Sequence, residues 1–311
     1  MLTRKTVILA KRETTYGTDP AMTGTDGLLA WDVEIDIKGE VLKRDVMRDT
    51  LTQLPHVIGM KDVTLTFKTE LKGRLVGTGV VPEIDPLLHA CAFSTAAIVG
   101  TSTVYTPVSE ETSIGSTSLK VYKDGNLHKI TGSRGTFKIN LEAGQYGVCE
   151  WEFSGKYNAI AASTIPNISG LGTEKPPIVY NASFNIGGFS PVCTRASIDC
   201  GNNVVQRASL NASYGVAGYR ITGREPKLEF DADAVVESSN PFWGDWSGDV
   251  VDTFGVYLGV SAGNKINITG IFQYETNKYG DNDGVSTYEC VAALCGSNND
   301  SENDELTLTF A

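Results

Sequence analysis

Histidine is scarce in this 311-residue chain: His56, His89 and His128 are the only three. The six cysteines, at 91, 149, 193, 200, 290 and 295, form no C-x-x-C pair and have no histidine beside them. A zinc site or a disulfide framework needs such spacings, so buried free thiols are expected, with no metal and no cofactor. Long apolar runs are also missing. The stretch TVILA near the N-terminus is too short for a signal sequence, and nothing approaches the ~20 apolar residues of a membrane helix. Synthesis in a cytoplasm-like compartment without membrane contact is therefore expected, and the N-x-S/T sequons at Asn167, Asn181, Asn211, Asn267 and Asn299 then carry no glycans.

Catalytic signatures are absent too: no G-x-S-x-G, Walker or H-E-x-x-H pattern occurs, and VGTGVV (76–81) lacks the third glycine of a dinucleotide loop. Asp85 and His89 stand four apart and are expected as a pair on a helix surface, with no nucleophile in sequence reach. DNDG (281–284) fits the middle of a calcium loop, but Tyr279 and Cys290 would hold its first and twelfth positions; a hairpin tip is expected instead. Trp243 and Trp246, beside Asp245 and Asp249, leave a sugar platform open, and with it the alternative of a carbohydrate-binding or capsid decoration β-sandwich. Basic residues thin out along the chain: residues 1–163 hold 18 Lys/Arg and 19 Asp/Glu, residues 164–311 hold 8 and 18, and the net charge is −11. Such a chain does not bind nucleic acid through counterion release, although it could face it without adhering.

What is present is alternation. In VTLTFKTEL (63–71) Leu65, Phe67 and Leu71 alternate with Thr66, Lys68 and Glu70. In KLEFDADA (227–234) Leu228 and Phe230 alternate with Glu229, Asp231 and Asp233. Period two with one apolar face predicts half-buried sheet. Asp124–Gly125, between two alternating runs, predicts a tight hairpin. EIDPLLHACAF (83–93) predicts one short helix, with NPFWGDW (240–246) in the corresponding place of the second half.

IDIKGEVLKR (35–44) is echoed by IDCGNNVVQR (198–207). At a constant offset of 163, Ile35/Ile198, Asp36/Asp199, Val41/Val204, Arg44/Arg207, Leu65/Leu228 and Phe67/Phe230 are identical. A duplicated β-unit is expected, residues 1–165 forming the first copy with an N-terminal arm and 166–311 the second, joined by the Pro/Gly-rich stretch 156–181. The arm around Gly17, Pro20 and Gly24 to Gly27 is expected to stay disordered until a neighbour orders it.

KRETTYGTDPAMTGTDG, DPLLHACAF, STVYTPVSEE and YKDGNLHKITGSRGTFKINLEAGQYGVCEWEFSGKY, in that order, resemble the major tail (tail tube) proteins of long-tailed, non-contractile bacteriophages. The resemblance implies a mainly β fold of two tandem tail-tube-like β-sandwich or barrel units, each with a short flanking helix. It implies a virion protein, not an enzyme, whose rings stack into a tube conducting DNA, with tape measure, tail tip and tail terminator proteins as partners. A closed barrel of about 16–18 strands encloses only an aqueous channel, so a DNA-wide bore needs several chains. Two units per chain predict trimeric rings with pseudo-sixfold symmetry. Asp32, Glu34, Asp36, Glu70, Asp199, Glu229, Asp231 and Asp233 are candidates to line the lumen, where carboxylates repel phosphates. Residues 45–62 and 208–225 read as long connections exposing Leu51, Leu54, Val57 and Ile58, or Tyr214, Val216 and Tyr219. By resemblance these are arms reaching the next ring, with Arg44, Arg48, Arg207 and Arg220 as salt-bridge formers.

Overall fold

Alternating residues form strands along nearly the whole chain in the computed structural model, which describes residues 2, 4–73, 81–98, 102–172, 174–298 and 303–311. VGTGVV, apart from its last residue, lies outside them. The first half supplies β1 (Thr6–Arg12), β2 (Gly27–Leu28), β3 (Ala30–Leu42), β4 (Val57–Glu70), β5 (Phe93–Ile98), β6 (Ser102–Pro107), β7 (Thr117–Lys123), β8 (Asn126–Glu142), β9 (Val148–Tyr157) and β10 (Ala161–Ala162). The second supplies β11 (Asn185–Ile186), β12 (Arg195–Asp199), β13 (Asn202–Ala208), β14 (Val216–Arg224), β15 (Lys227–Asp233), β16 (Val251–Leu258), β17 (Ile266–Asn282), β18 (Val285–Leu294) and β19 (Leu306–Phe310). The two α-helices among the described residues are α1 (Asp85–Ala90), with Pro86 in its first turn, and α2 (Phe242–Ser247).

Eight strands are successive antiparallel neighbours in the order β3, β4, β9, β8, β12, β15, β18, β17. Apart from β13 and β14, which form a separate two-stranded ribbon, the remaining strands attach to the first halves of the two longest. β7, β1 and β2 extend from β8, while β16 and β11 extend from one side of β17 and β19, β6 and β5 from the other. Both 17-residue strands thus leave one group of partners and join another, so a core can form between the groups. That core is one continuous cluster, running from Phe67, Trp151 and Phe153 through Ile198 and Leu228 to Phe272 and Leu308. Each large side chain so buried contributes about 1.5–3 kcal/mol relative to exposure. The hairpin at Asp124–Gly125 forms as expected, with positive φ at both residues (37° and 105°). DNDG likewise ends the β17–β18 hairpin.

The echo in sequence is an echo in register. Ile35 pairs with Leu65 and Ile198 with Leu228; Asp36 pairs with Thr64 and Asp199 with Lys227. Farther along, Gly39 pairs with Lys61 and Asn202 with Arg224. A one-residue slip then puts Val41 opposite Ile58 and Val204 opposite Ile221. Each of these positions differs from its counterpart by 163, and even the slip recurs. The order of neighbours also repeats: β3–β4–β9–β8–β7 in the first half, β12–β15–β18–β17–β16 in the second.

The sheet does not close into a barrel within the chain: among the described residues β3 pairs with β4 alone, and β17 beyond Tyr274 pairs with β18 alone. Two expectations need correction. The N-terminal arm is built into the fold. Thr6–Arg12 lies in register along β7, burying Ile8, Leu9 and Ala10, because an apolar strand beside an open sheet edge gains both hydrogen bonds and burial. Finally, the second long connection is mostly strand, with β14 running from Val216 to Arg224, whereas the first becomes strand only where β4 begins at Val57.

Candidate functional site

The polar sides of the eight consecutive strands form one face. Lys68, Glu150, Lys138, Asp199 and Lys227 are direct cross-strand neighbours on β4, β9, β8, β12 and β15, so the charge alternates from strand to strand. Opposite charges directly opposite on a sheet each contribute roughly 0.2–1 kcal/mol. Ion pairs lace the same face: Lys68 to Glu150 at 3.1 Å and to Asp32 at 3.6 Å, Lys138 to Glu229 at 3.1 Å, and Arg195 to Asp231 at 3.4 Å. The Asp32–Lys68 and Arg195–Asp231 pairs stand at repeat-equivalent positions with their signs exchanged. A trough of about 660 Å³ follows the face across β8, β12, β15 and β18.

The eight carboxylates singled out in the sequence all lie on β3, β4, β12 and β15, yet their environments differ. Asp32, Glu34 and Asp36 are exposed on the free edge strand β3; Asp36 also meets Lys38 at 3.1 Å. Asp199 accepts from the Gly201 amide at 2.8 Å, and Glu70 and Asp233 are half-buried. Partial burial pushes Glu229 up, and its bonds from Lys138 and Ser197 more than offset that, leaving the carboxyl below its usual range. Asp231 behaves alike: burial raises it, but the Thr194 and Arg195 amides donate at 2.9 and 2.8 Å and hold it low. It is a structural anchor for the start of β12. Sequence reasoning missed Glu150, Glu152, Lys138 and Lys278, whose place on this face depends on strand order.

The arms also differ. Between β3 and β4, Met47 and Leu51 are fully exposed, Val57 and Ile58 are half out, Leu54 is intermediate, and Arg44 and Arg48 are exposed. The second arm exposes only Tyr214, at 44%, of the three side chains the sequence suggested. Val216 and Tyr219 are buried at 3% and 4% exposure, because the β13–β14 ribbon lies against the first half of its own chain. Tyr16 fastens it there: its hydroxyl accepts from the Tyr219 amide at 2.7 Å and donates to the Gly132 carbonyl at 2.9 Å. Gly218 permits this, since a Cβ there would come within 2.3 Å of the Tyr16 hydroxyl. At the tip, Tyr214 rests edge-on against Tyr157 at 5.1 Å with the Lys61 ammonium 4.9 Å from its ring. Arg207 stays exposed, and Arg220 reaches Glu111 at 3.3 Å.

Other candidate chemistry resolves into structure. Asp85 is not on a helix surface but buried at 5% exposure, accepting from Arg12 Nε at 2.7 Å and Tyr105 Oη at 2.7 Å. Its burial follows from α1 lying inward against β1 and β5. Burial and the Arg12 guanidinium lower His89 to about 4, against the pull of Asp85, so this imidazole is neutral. Trp243 and Trp246 meet edge-to-face at 6.1 Å, and the Trp246 indole N–H donates to the Glu275 carbonyl at 3.0 Å. Two perpendicular rings make no flat platform for a sugar. All six cysteines are free; burial pushes the Cys200 thiol up to about 12 and Cys149 higher still. No group of three or more metal-ligating side chains occurs among the described residues.

A repeated hairpin in a repeated register and an open sheet with a charged face describe a building block. No curated protein matches the chain. The family model described as phage tail tube protein matches residues 3–247, spanning both hairpins and the link between them. That match covers well over half of the chain, which therefore belongs to the phage tail tube protein family, structural proteins of the virion that assemble into a tube with other tail components.

Proposed function

We propose that three copies of the chain form each ring of the tube, that the rings have pseudo-sixfold symmetry, and that the polar face of the eight consecutive strands lines a bore through which the genome passes without stable binding. The repeat of both register and strand order carries this reading, because it gives one chain two like sectors of four strands each. Three chains then supply twenty-four strands. With strands about 4.8 Å apart and tilted by about 40°, such a barrel is roughly 40–50 Å across at the backbone, well beyond barrels of about 16–18 strands. Residues 1–165 and 166–311 act as the two tube units, sharing one core.

The lining is charged rather than simply acidic. Ion pairs occupy Asp32, Glu229 and Asp231, while Glu34 and Glu152 remain outward-facing carboxylates that repel phosphate. The exposed first arm, with Arg44, Arg48, Met47 and Leu51, is the surface offered to the adjoining ring. Tape measure, tail tip and tail terminator proteins are the proposed partners in the tail, after synthesis in the host cytoplasm. A cryo-EM reconstruction of assembled tubes tests the reading: three chains per ring are expected, and six chains per ring would overturn it.

A further inference from the structure

The chain contains one finished joint between its two sectors and two edges that match the parts of that joint. In the finished joint β12 lies along the second half of β8, with Arg195 opposite Glu142, Ala196 opposite Leu141, Ser197 opposite Asn140, Ile198 opposite Ile139 and Asp199 opposite Lys138. Opposite charges close both ends, and the apolar positions are buried: Ile139 and Ile198 are 1% and 0% exposed.

The repeat gives each partner a counterpart. β12 corresponds to β3 at an offset of 163, and β15 to β4. Leu65 pairs with Phe153 and Leu228 with Ala292, so β9 corresponds to β18 at an offset of 139. The burial of the two strands agrees at that offset: Cys149, Trp151 and Phe153 are buried, as are Tyr288, Cys290 and Ala292. Ile139 pairs with Cys149 and Tyr279 with Tyr288, which makes Lys278–Asn282 the counterpart of Lys138–Glu142. In the single chain these counterparts are open. Tyr279 is 66% exposed beside Trp243, and Ile37, counterpart of the buried Cys200, is 38% exposed.

We infer that β3 of one copy adds to the open edge of β17 in a second copy of this chain, with Asp36 opposite Lys278, Ile35 opposite Tyr279, Glu34 opposite Gly280, Val33 opposite Asp281 and Asp32 opposite Asn282. This rests on the ring assembly proposed above and specifies its contact. The opposite-charge pair at one end is kept, Asp36–Lys278 replacing Asp199–Lys138. The apolar pair at the centre is kept as Ile35–Tyr279, where the exposed tyrosine on one edge meets the half-exposed isoleucine of the other. A slip by two residues one way would set Lys38 against Lys278.

Assembled wild-type tubes are compared with tubes of the double variant Asp36→Cys/Lys278→Cys after mild oxidation, on a denaturing non-reducing gel. Dimers and larger cross-linked species are expected from that variant. None is expected from wild type or from Glu34→Cys/Lys278→Cys, which reports the opposite slip. Tubes that form without the 36–278 cross-link, or that cross-link better at 34–278, overturn the register while leaving the ring reading intact; assembled wild-type tubes with six chains per ring overturn the ring reading itself. Should the cysteine variant not assemble, charge exchange decides. Asp36→Lys and Lys278→Asp each raise the concentration needed for half-maximal ring formation by roughly tenfold, as expected for turning a cross-strand attraction into a repulsion. The double exchange restores it, and singles that assemble normally, or a double that does not recover, refute the pairing.

Discussion

Ile35 and Ile198 are the same residue at equivalent places in the repeat, and truncating each to alanine separates folding from assembly. Ile198 is completely buried between Ile139 on β8 and Leu228 on β15, whereas Ile35 has Leu65 on one side and an open edge on the other. Removing a fully enclosed isoleucine side chain down to alanine costs about 3–4 kcal/mol, inside the range for such cavities, while a side chain covered on one flank forfeits about half as much. The difference of about 2 kcal/mol corresponds to a melting temperature lower by roughly 4 °C for Ile198→Ala than for Ile35→Ala in a chain of this size. Urea unfolding of dilute, unassembled protein measures it, with midpoints moving and slopes unchanged. Assembly should order the variants the other way. Ile35→Ala, the less destabilised of the two on its own, should need a much higher concentration to form rings, because part of its missing contact belongs to the neighbouring copy. Equal losses of stability in the two variants, with ring formation by Ile35→Ala unaffected, would refute the equivalence of the two joints.

Three further outcomes follow from individual side chains. His89 is held neutral at about 4, below its unfolded value near 6.5, so the unfolded chain takes up the proton first. Stability is therefore full above about pH 6.5 and falls toward pH 4, by about 1–2 kcal/mol once screening is allowed for, and acid titration of His89→Gln should lack that limb. Tyr16→Phe leaves the Tyr219 amide and the Gly132 carbonyl without the hydroxyl between them. A cost of about 1–2 kcal/mol and faster amide exchange across Val216–Arg224 are expected, and unchanged exchange there would show that the ribbon is held by other contacts. Glu34→Lys/Glu152→Lys should leave tubes intact and slow DNA ejection, whereas a normal ejection rate would place this face away from the bore.

Much of the architecture was legible because a hairpin's register is written locally. Inward residues at period two fix which face is buried, and a conserved slip keeps Val41 and Val204 in phase with their partners. The correspondence of β9 with β18 was not legible, since Trp151 and Cys290, or Phe153 and Ala292, share only their inward direction. Sheet burial constrains polarity far more than identity. The burial of Val216 and Tyr219 was invisible for another reason: it depends on Tyr16, 203 residues from Tyr219. Part of the basic character of the charged face was not legible, because some of its cations come from strands that only the fold sets beside the carboxylates. Lys138, for example, sits between Glu150 and Asp199.

The difference between the finished joint and the proposed one would keep such a chain single before assembly. An exposed strand edge is a template for uncontrolled pairing, and charged side chains on the edge are a common defence. β3 carries Asp32, Glu34, Asp36 and Lys38 on one face, and the β17 edge places Asp281 where β8 has the buried Leu141. The edge-to-edge contact between copies is thus built to be weaker than the one within the chain, where Leu141 and Ile139 meet Ala196 and Ile198. Covalent linkage lets the inner joint form at an effective concentration in the millimolar range, independent of how much protein is present. In the proposed ring half of the joints are made in this way during folding, and only the weaker half wait on encounter. On that proposal, a template that presents one correctly spaced β17 edge would be enough to start a ring.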